Sequence, residues 1–362
     1  QFMEMLDYFG QSPIIVRSSS LLEDNYGNAF SGKYDSVFCA NQGTPRERLQ
    51  QFVEAVQTVY ASTLNRGALL YRRQRGLLER DEQMALLVQR VSGSAHGEGF
   101  HPDLAGVGYS FNTYVWDESI DPNAGMLRLV CGLGTRAVER TDDDYTRLVA
   151  LNEPLRTSHA EEDRSRYAQR RLDVLDLPRN RIVAESFETA SQTFSPDFLA
   201  LAASQDRALL ERARQQGLRD VFAWTLDFES LLRDTRFPET MRRILRVLRD
   251  AYGVEVDIEF TTNFFDDGRF LINLVQCRPF QVRIAGESSA RTIAVEAPPD
   301  GVPLFHTHGP IIGSSLAAPV DLLVYVVPAQ YSQLPEQARY DVARLIGTIT
   351  HLEAYRGKTI ML

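Results

Sequence analysis

The sequence predicts an α+β fold: mixed or antiparallel sheets with helices on their outer faces, followed by a small C-terminal α/β region. Three observations carry this expectation. Apolar residues recur at helical spacing in 45–82 and 238–252. Short β-branched or apolar runs bounded by glycines and charged residues lie between them and read as strands. The runs 254–260 and 270–277 flank a polar turn at Asp266-Asp267-Gly268, which makes them a hairpin candidate.

The elements follow in order. Residues 14–17 form a β-branched run leading into Ser18-Ser19-Ser20, and 23–32 read as a loop before a strand at 34–38. Leu49, Phe52, Val53, Val56, Val59, Tyr60 and Leu64 then mark one helix face, with Pro45 in the first turn and Gly67 and Gly76 as interruptions. Residues 84–91 read as a buried strand, and the glycine-rich stretch after it as a loop carrying His96 and His101. Strands are expected at 107–111 and 127–130, the second running into Gly132-Leu133-Gly134. The charged segment 155–181 reads as solvated surface. In 238–252, Met241, Ile244, Leu245, Val247 and Leu248 line one face and Gly253 supplies the stop. Beyond Pro279 the sequence becomes punctuated by Pro and Gly, with a strand expected at 321–327 and a helix at 335–346. The expected division is 1–283 and 284–362, with no repeat of fixed period.

Composition narrows the function. The chain has 362 residues, 44% hydrophobic and 24% charged, which suits a folded domain with a sizeable core. Thirty-nine basic against 48 acidic residues leave a net charge of −9 with no long basic stripe, which argues against a nucleic-acid partner. An anionic ligand would have to be met by a few concentrated cations and a divalent metal. The three cysteines are far apart and form no CxxC pair, so a reducing cytoplasm is expected. The apolar stretch 316–327 is too short to span a bilayer and contains Asp321, so no membrane partner is expected. There is no signal-peptide pattern, and the chain opens on Gln1 directly into structured sequence, which reads as a fragment.

The strongest chemical pattern is Asp257-Ile258-Glu259 on one hairpin strand and Gln276-Cys277-Arg278 on the other. Residues two apart on a strand share a face, so two carboxylates, an amide and a guanidinium can share one surface. Carboxylates suit Mg2+ and the guanidinium fork suits phosphate; the alternative is a salt-bridge ladder across a hairpin. Arg17 is a second cation, followed by the hydroxyls of Ser18, Ser19 and Ser20, and its alternative is a strand-end arginine before a turn. Gly132 and Gly134 allow close backbone approach but lack a Walker lysine. Gln89 could lie at an adenine edge or be an ordinary strand residue. His306 and His308 lack a third ligand, and no serine sits in a nucleophile-elbow motif.

These residues together resemble the nucleotide domain of phosphoenolpyruvate synthase and pyruvate phosphate dikinase. Val16-Arg17-Ser18-Ser19-Ser20 with Glu23-Asp24 and Phe30-Ser31-Gly32 is similar to the family's VRSSxxxED…FxG stretch. Val59-Tyr60-Ala61-Ser62 with Arg66, Ala68 and Tyr71-Arg72 resembles the helix before the adenine strand, and 84–91 resembles AVLVQxM. Gly106-Val107-Gly108-Tyr109-Ser110 is similar to SGVxFS, and Gly132-Leu133-Gly134 with Val138 to GLGExVVxG. Tyr252-Gly253, Asp257-Ile258-Glu259 and Gln276-Cys277-Arg278-Pro279 resemble the closing YG…DIEW…QxRP signature.

The resemblance spans about 14–279 and implies an ATP-grasp-like fold that binds ATP and Mg2+ and passes a phosphoryl group to a histidine on another domain or partner. It implies Arg17, Arg278 and Gln276 as catalytic, and Arg17, Ser19, Gln89, Gly132, Gly134 and Arg278 as nucleotide-binding. Asp257 and Glu259 are implied as metal ligands. Thr135 stands where the family usually has Glu, and Arg140 where its last glycine falls. Thr157-Ser158-His159-Ala160 imitates a phosphohistidine tetrapeptide without its preceding glycine pair. The family's upstream subdomain and phosphate-binding lysine are not in this stretch, which by itself is expected to be inactive. An inactive regulatory nucleotide-binding module and an interaction scaffold remain the alternative readings.

Overall fold

The computed structural model describes residues 1–20, 32, 34–74, 76–138, 144–159, 163–218, 221–265, 268–280, 320–331, 334–355, 358 and 360–361. The chain divides into two compact units, Gln1–Val282 and Arg283–Leu362.

The first unit opens with α1 (Phe2–Phe9), β1 (Ile14–Ser20) and β2 (Ser36–Cys39), then α2 (Pro45–Ser62), α3 (Arg66–Gln74) and β3 (Met84–Arg90). The three strands form an antiparallel sheet in the order β2-β1-β3. Alternation along β1 gives it two faces. Ile14 and Val16 are buried with Leu6 of α1, Cys39 of β2 and Phe52, Ala55 and Val59 of α2, so Ile15, Arg17 and Ser19 face the other way. Thr44 and Glu47 start α2 with a reciprocal capping box. The predicted long helix breaks at Thr63–Asn65 and not at Gly67, which lies inside α3. The Ser62 and Thr63 hydroxyls bond back to the carbonyls of Val59 and Tyr60, which favours a stop there.

Next come β4 (Ser94–His96), β5 (Gly99–His101), β6 (Leu104–Tyr109), β7 (Met126–Val130), α4 (Thr135–Val138), β8 (Arg147–Ala150), β9 (Arg171–Asp176) and β10 (Arg181–Ser186). Short helices α5 (Phe187–Ala190), α6 (Pro196–Ala202), α7 (Arg207–Gln215) and α8 (Glu229–Asp234) follow, interleaved with the strand pair β11 (Ala203–Gln205) and β12 (Trp224–Leu226). Then α9 (Phe237–Tyr252), β13 (Val256–Phe264) and β14 (Phe270–Pro279) complete the unit. Gly253 closes α9 in the left-handed conformation, φ 69°.

Two antiparallel sheets result, β14-β13-β6-β7-β8 and β10-β9-β5-β4. The main core lies under the five-stranded sheet. Leu127, Leu129, Val149, Ile258 and Phe260 point down onto Leu231 and Leu232 of α8 and Phe237, Met241 and Leu245 of α9. Helices α8 and α9 thus cover one face, while on the other α4 packs Ala137 against Ala105, Val107 and Val130 and the site lies beside it, in an α+β, ATP-grasp-like arrangement.

Two expectations are corrected. The segment read as solvated surface contains β9, whose Leu172, Val174 and Leu175 are buried. Its charges alternate with apolar residues, so average charge hides a two-residue period. The stretch read as a loop with His96 and His101 is the β4–β5 hairpin.

In the second unit, β15 (Leu322–Leu323) pairs in parallel with β16 (Ile360–Met361), and α10 (Pro328–Tyr331) and α11 (Glu336–Thr350) lie between them in the chain. The strand expected at 321–327 is only two residues long. Among the described residues, no helix is long and apolar enough to cross a membrane.

Candidate functional site

The free faces of the three-stranded and five-stranded sheets meet through polar side chains. Arg17 of β1 donates from Nη2 to Glu259 Oε2 at 2.8 Å and to Gln276 Oε1 at 2.6 Å. On the neighbouring row Arg278 donates from Nε to Asp257 Oδ1 at 2.7 Å. The β13–β14 register explains both: Asp257 lies opposite Arg278 and Glu259 opposite Gln276. The register then shifts at Glu259/Phe260, a bulge that bends the ribbon just beyond the site.

Side-chain exposure here is low, 13% for Arg17 and Asp257, 21% for Arg278 and 22% for Glu259, so the two guanidinium groups and two carboxylates balance in a poorly solvated setting. Burial raises the Asp257 pKa, and Glu259 adds to this against the pull of Arg278. Burial pulls Arg278 down, but Asp257, Glu259 and Tyr109 outweigh it and leave its pKa raised. Tyr109 lies opposite Asp257 across β6–β13. Burial pushes its phenol up, while Arg128, hydrogen-bonded to it, pulls down.

Gln89 lies opposite Ile15 and Ser19 opposite Ala85, so both share the face of Arg17. The Gln89 Oε1 atom is buried and without a hydrogen-bond partner. A buried orphan acceptor on a cleft face is what a nucleobase amine would satisfy. Beyond it, Asn273 Nδ2 donates to Ser92 Oγ at 2.8 Å and joins the two layers again.

The glycine loop makes its close approach to its own chain. Gly132 has φ +94°, and a Cβ there would come within 2.8 Å of the Asp173 carbonyl oxygen. Leu133 N donates to that oxygen at 3.0 Å. Thr135 Oγ1 donates to Asp173 Oδ2 at 2.6 Å, and Arg136 pairs with both Asp173 and Asp144. Gly134, φ +89°, turns the chain over Ala105.

The structure therefore gathers Arg17, Gln276, Glu259, Asp257 and Arg278, sets Gln89 and Ser19 on the same free face as Arg17, and anchors Gly132 and Gly134 against β9 and β6. His159 instead lies against the Tyr167 ring, 5.0 Å between centroids. Glu23, Asp24, Phe30, Ser31, Arg140, Ala160, Asp266, Asp267, His306 and His308 fall outside the described residues. The sequence reading named Tyr109 only within its SGVxFS-like stretch and did not single out Arg128. A charge within the apolar strand Met126–Val130 was the available signal for Arg128.

Among the described residues, no three His, Cys, Asp or Glu side chains gather as a metal cage. Magnesium needs none, because it takes one or two carboxylates together with substrate phosphates and water. Asp257 and Glu259 meet that smaller requirement. A comparison with family models gives a match to the pyruvate phosphate dikinase AMP/ATP-binding domain over residues 1–297.

Proposed function

Because the chain belongs to the pyruvate phosphate dikinase AMP/ATP-binding domain family, we propose that its cleft holds magnesium-bound ATP and, in a parent enzyme, passes a phosphoryl group to a histidine carrier on another domain or partner. The observation that carries this is the convergence of Arg17, Glu259 and Gln276 beside the Arg278–Asp257 pair. In this reading Arg17 and Arg278 grip phosphate oxygens through their planar donor forks. Asp257 and Glu259 hold the metal, which neutralises phosphate charge when bound. Gln276 orients Arg17, Ser19 adds a hydroxyl donor, and Gln89 offers its orphan acceptor to the adenine amine. Phosphoryl transfer needs little more, since its catalysis is mainly positioning and charge stabilisation. Gly132 and Gly134 shape the cleft wall through β9 and β6. The nucleotide module is taken as 1–283, with 284–362 an additional region, and three free thiols suit a reducing cytoplasm.

A second reading, a nucleotide-binding module without turnover, is favoured by Thr135, whose hydroxyl is committed to Asp173. Binding and turnover measured separately on the longest available chain decide between them. The phosphotransferase reading expects ATP binding with magnesium, release of AMP or ADP, and loss of transfer in Glu259→Ala and Arg278→Ala with the fold intact. Binding without any nucleotide product supports the module reading. No binding at all leaves an interaction scaffold.

A further inference from the structure

Arg128 differs from the other arginines that are partly or fully buried in the first unit. Arg17, Arg136, Arg164, Arg249 and Arg278 are each answered by carboxylates. Arg48, Arg72 and Arg147 donate to backbone carbonyls. Arg128, half-buried in β7, has only the Tyr109 phenol oxygen, and no carboxylate among the described residues pairs with it. A guanidinium held out of water without a counter-ion is costly, and in a chain of net charge −9 carboxylates are abundant. That no described carboxylate answers it is a feature of this position.

The position lies in the site. Arg128 is opposite Val107 on β6, Val107 is opposite Glu259 on β13, and Glu259 is opposite Gln276 on β14. These four residues form one row across the free face. Leu127 and Leu129 on either side are fully buried in the core, so alternation directs Arg128 to that free face. Adjacent strands are about 4.8 Å apart, which puts the Arg128 backbone roughly 10 Å from that of Glu259. Between them the floor is Val107, buried in a small cluster with Ala105, Val130 and Ala137 of α4.

We infer that Arg128 is a third cation of the phosphate subsite, binding an anionic oxygen of the nucleotide's polyphosphate tail across the Val107 floor from Glu259, with Tyr109 as its positioning residue. This rests on the ATP-binding reading above. It adds a residue that neither the glycine loop nor the closing signature contains.

Calorimetric titration of the full chain at fixed magnesium tests it, with ATP, AMP and adenosine as probes against Arg128→Ala, Arg128→Lys and Tyr109→Phe. One lost charge-assisted contact predicts a loss of about 10- to 100-fold for ATP in Arg128→Ala, a smaller loss for AMP and none for adenosine. Arg128→Lys keeps the charge and recovers part of the loss, and Tyr109→Phe costs a few-fold for ATP alone. Wild-type ATP affinity in Arg128→Ala overturns the inference. So does an equal loss for all three probes, which marks a structural role. If Arg128→Ala does not fold, Arg128→Lys decides: adenosine affinity lost together with that for ATP overturns it. If the wild-type chain binds no ATP, this inference and the reading beneath it fall together.

Discussion

Arg17 and Glu259, 242 residues apart in the chain, are joined at 2.8 Å and so clasp the three-stranded sheet to the five-stranded one. The same carboxylate is the proposed metal ligand. A cation entering at Glu259 must therefore displace Arg17, and a phosphate arriving at Arg17 frees Glu259 for the cation. Magnesium and nucleotide should then bind with positive coupling, on the order of tenfold, within the usual 1–3 kcal/mol of linked sites. Titrating magnesium with and without ATP measures it. Glu259→Gln should abolish the coupling while leaving the unfolding midpoint within a few degrees, and a variant that retains full coupling removes Glu259 from the metal site.

Gly132 and Gly217 offer a matched pair for backbone strain. Both have positive φ, but a Cβ at Gly132 would meet the Asp173 carbonyl at 2.8 Å, whereas nothing lies within 4 Å of Gly217. Gly217→Ala should cost about 1 kcal/mol, the left-handed penalty alone. Gly132→Ala should cost roughly 3 kcal/mol, because the loop must also move off β9. Urea unfolding compares the two, and equal losses would show that the loop does not need its close contact with Asp173.

Much of this arrangement was legible before any coordinates, for physical reasons that differ by element. The β13–β14 hairpin and α9 were readable because each has a strong local period, and α9 has in addition a glycine stop at Gly253. That Asp257 and Glu259 share a face, as do Gln276 and Arg278, followed from alternation once the hairpin was assumed, whereas the pairing of Asp257 with Arg278 is set by the register. What alternation could not give was the partner across the cleft, since Arg17 meets Glu259 through tertiary packing of two separate sheets. β9 was hidden because Arg171, Asp173 and Asp176 raise the mean charge of a strand whose Leu172, Val174 and Leu175 are buried. The task of Gly132 was also out of reach, because its close neighbour, the Asp173 carbonyl, belongs to that unrecognised strand. Arg128 was passed over as one charge in a short apolar run, and that no described carboxylate pairs with it is visible only once the strands are placed.

The β4–β5 hairpin predicts a pH dependence of stability. His101 is 2% exposed, stacks on His96 at 4.1 Å and donates from Nδ1 to the Pro102 carbonyl at 2.8 Å. Burial, with a further push from His96, lowers its pKa from 6.5 to about 4. The unfolded chain therefore takes up this proton below pH 6.5 while the folded chain does not until about pH 4. Stability present above pH 6.5 is lost as pH falls through that window, by at most about 3 kcal/mol. Burial lowers His96 as well, which acts in the same direction, and raises Asp103, which acts in the opposite one. Urea unfolding at pH 7.5, 5.5 and 4.5 should show a falling free energy in the wild-type chain and a flatter profile in His101→Asn. Parallel profiles would mean that His101 titrates normally in the folded protein and that the hairpin admits solvent.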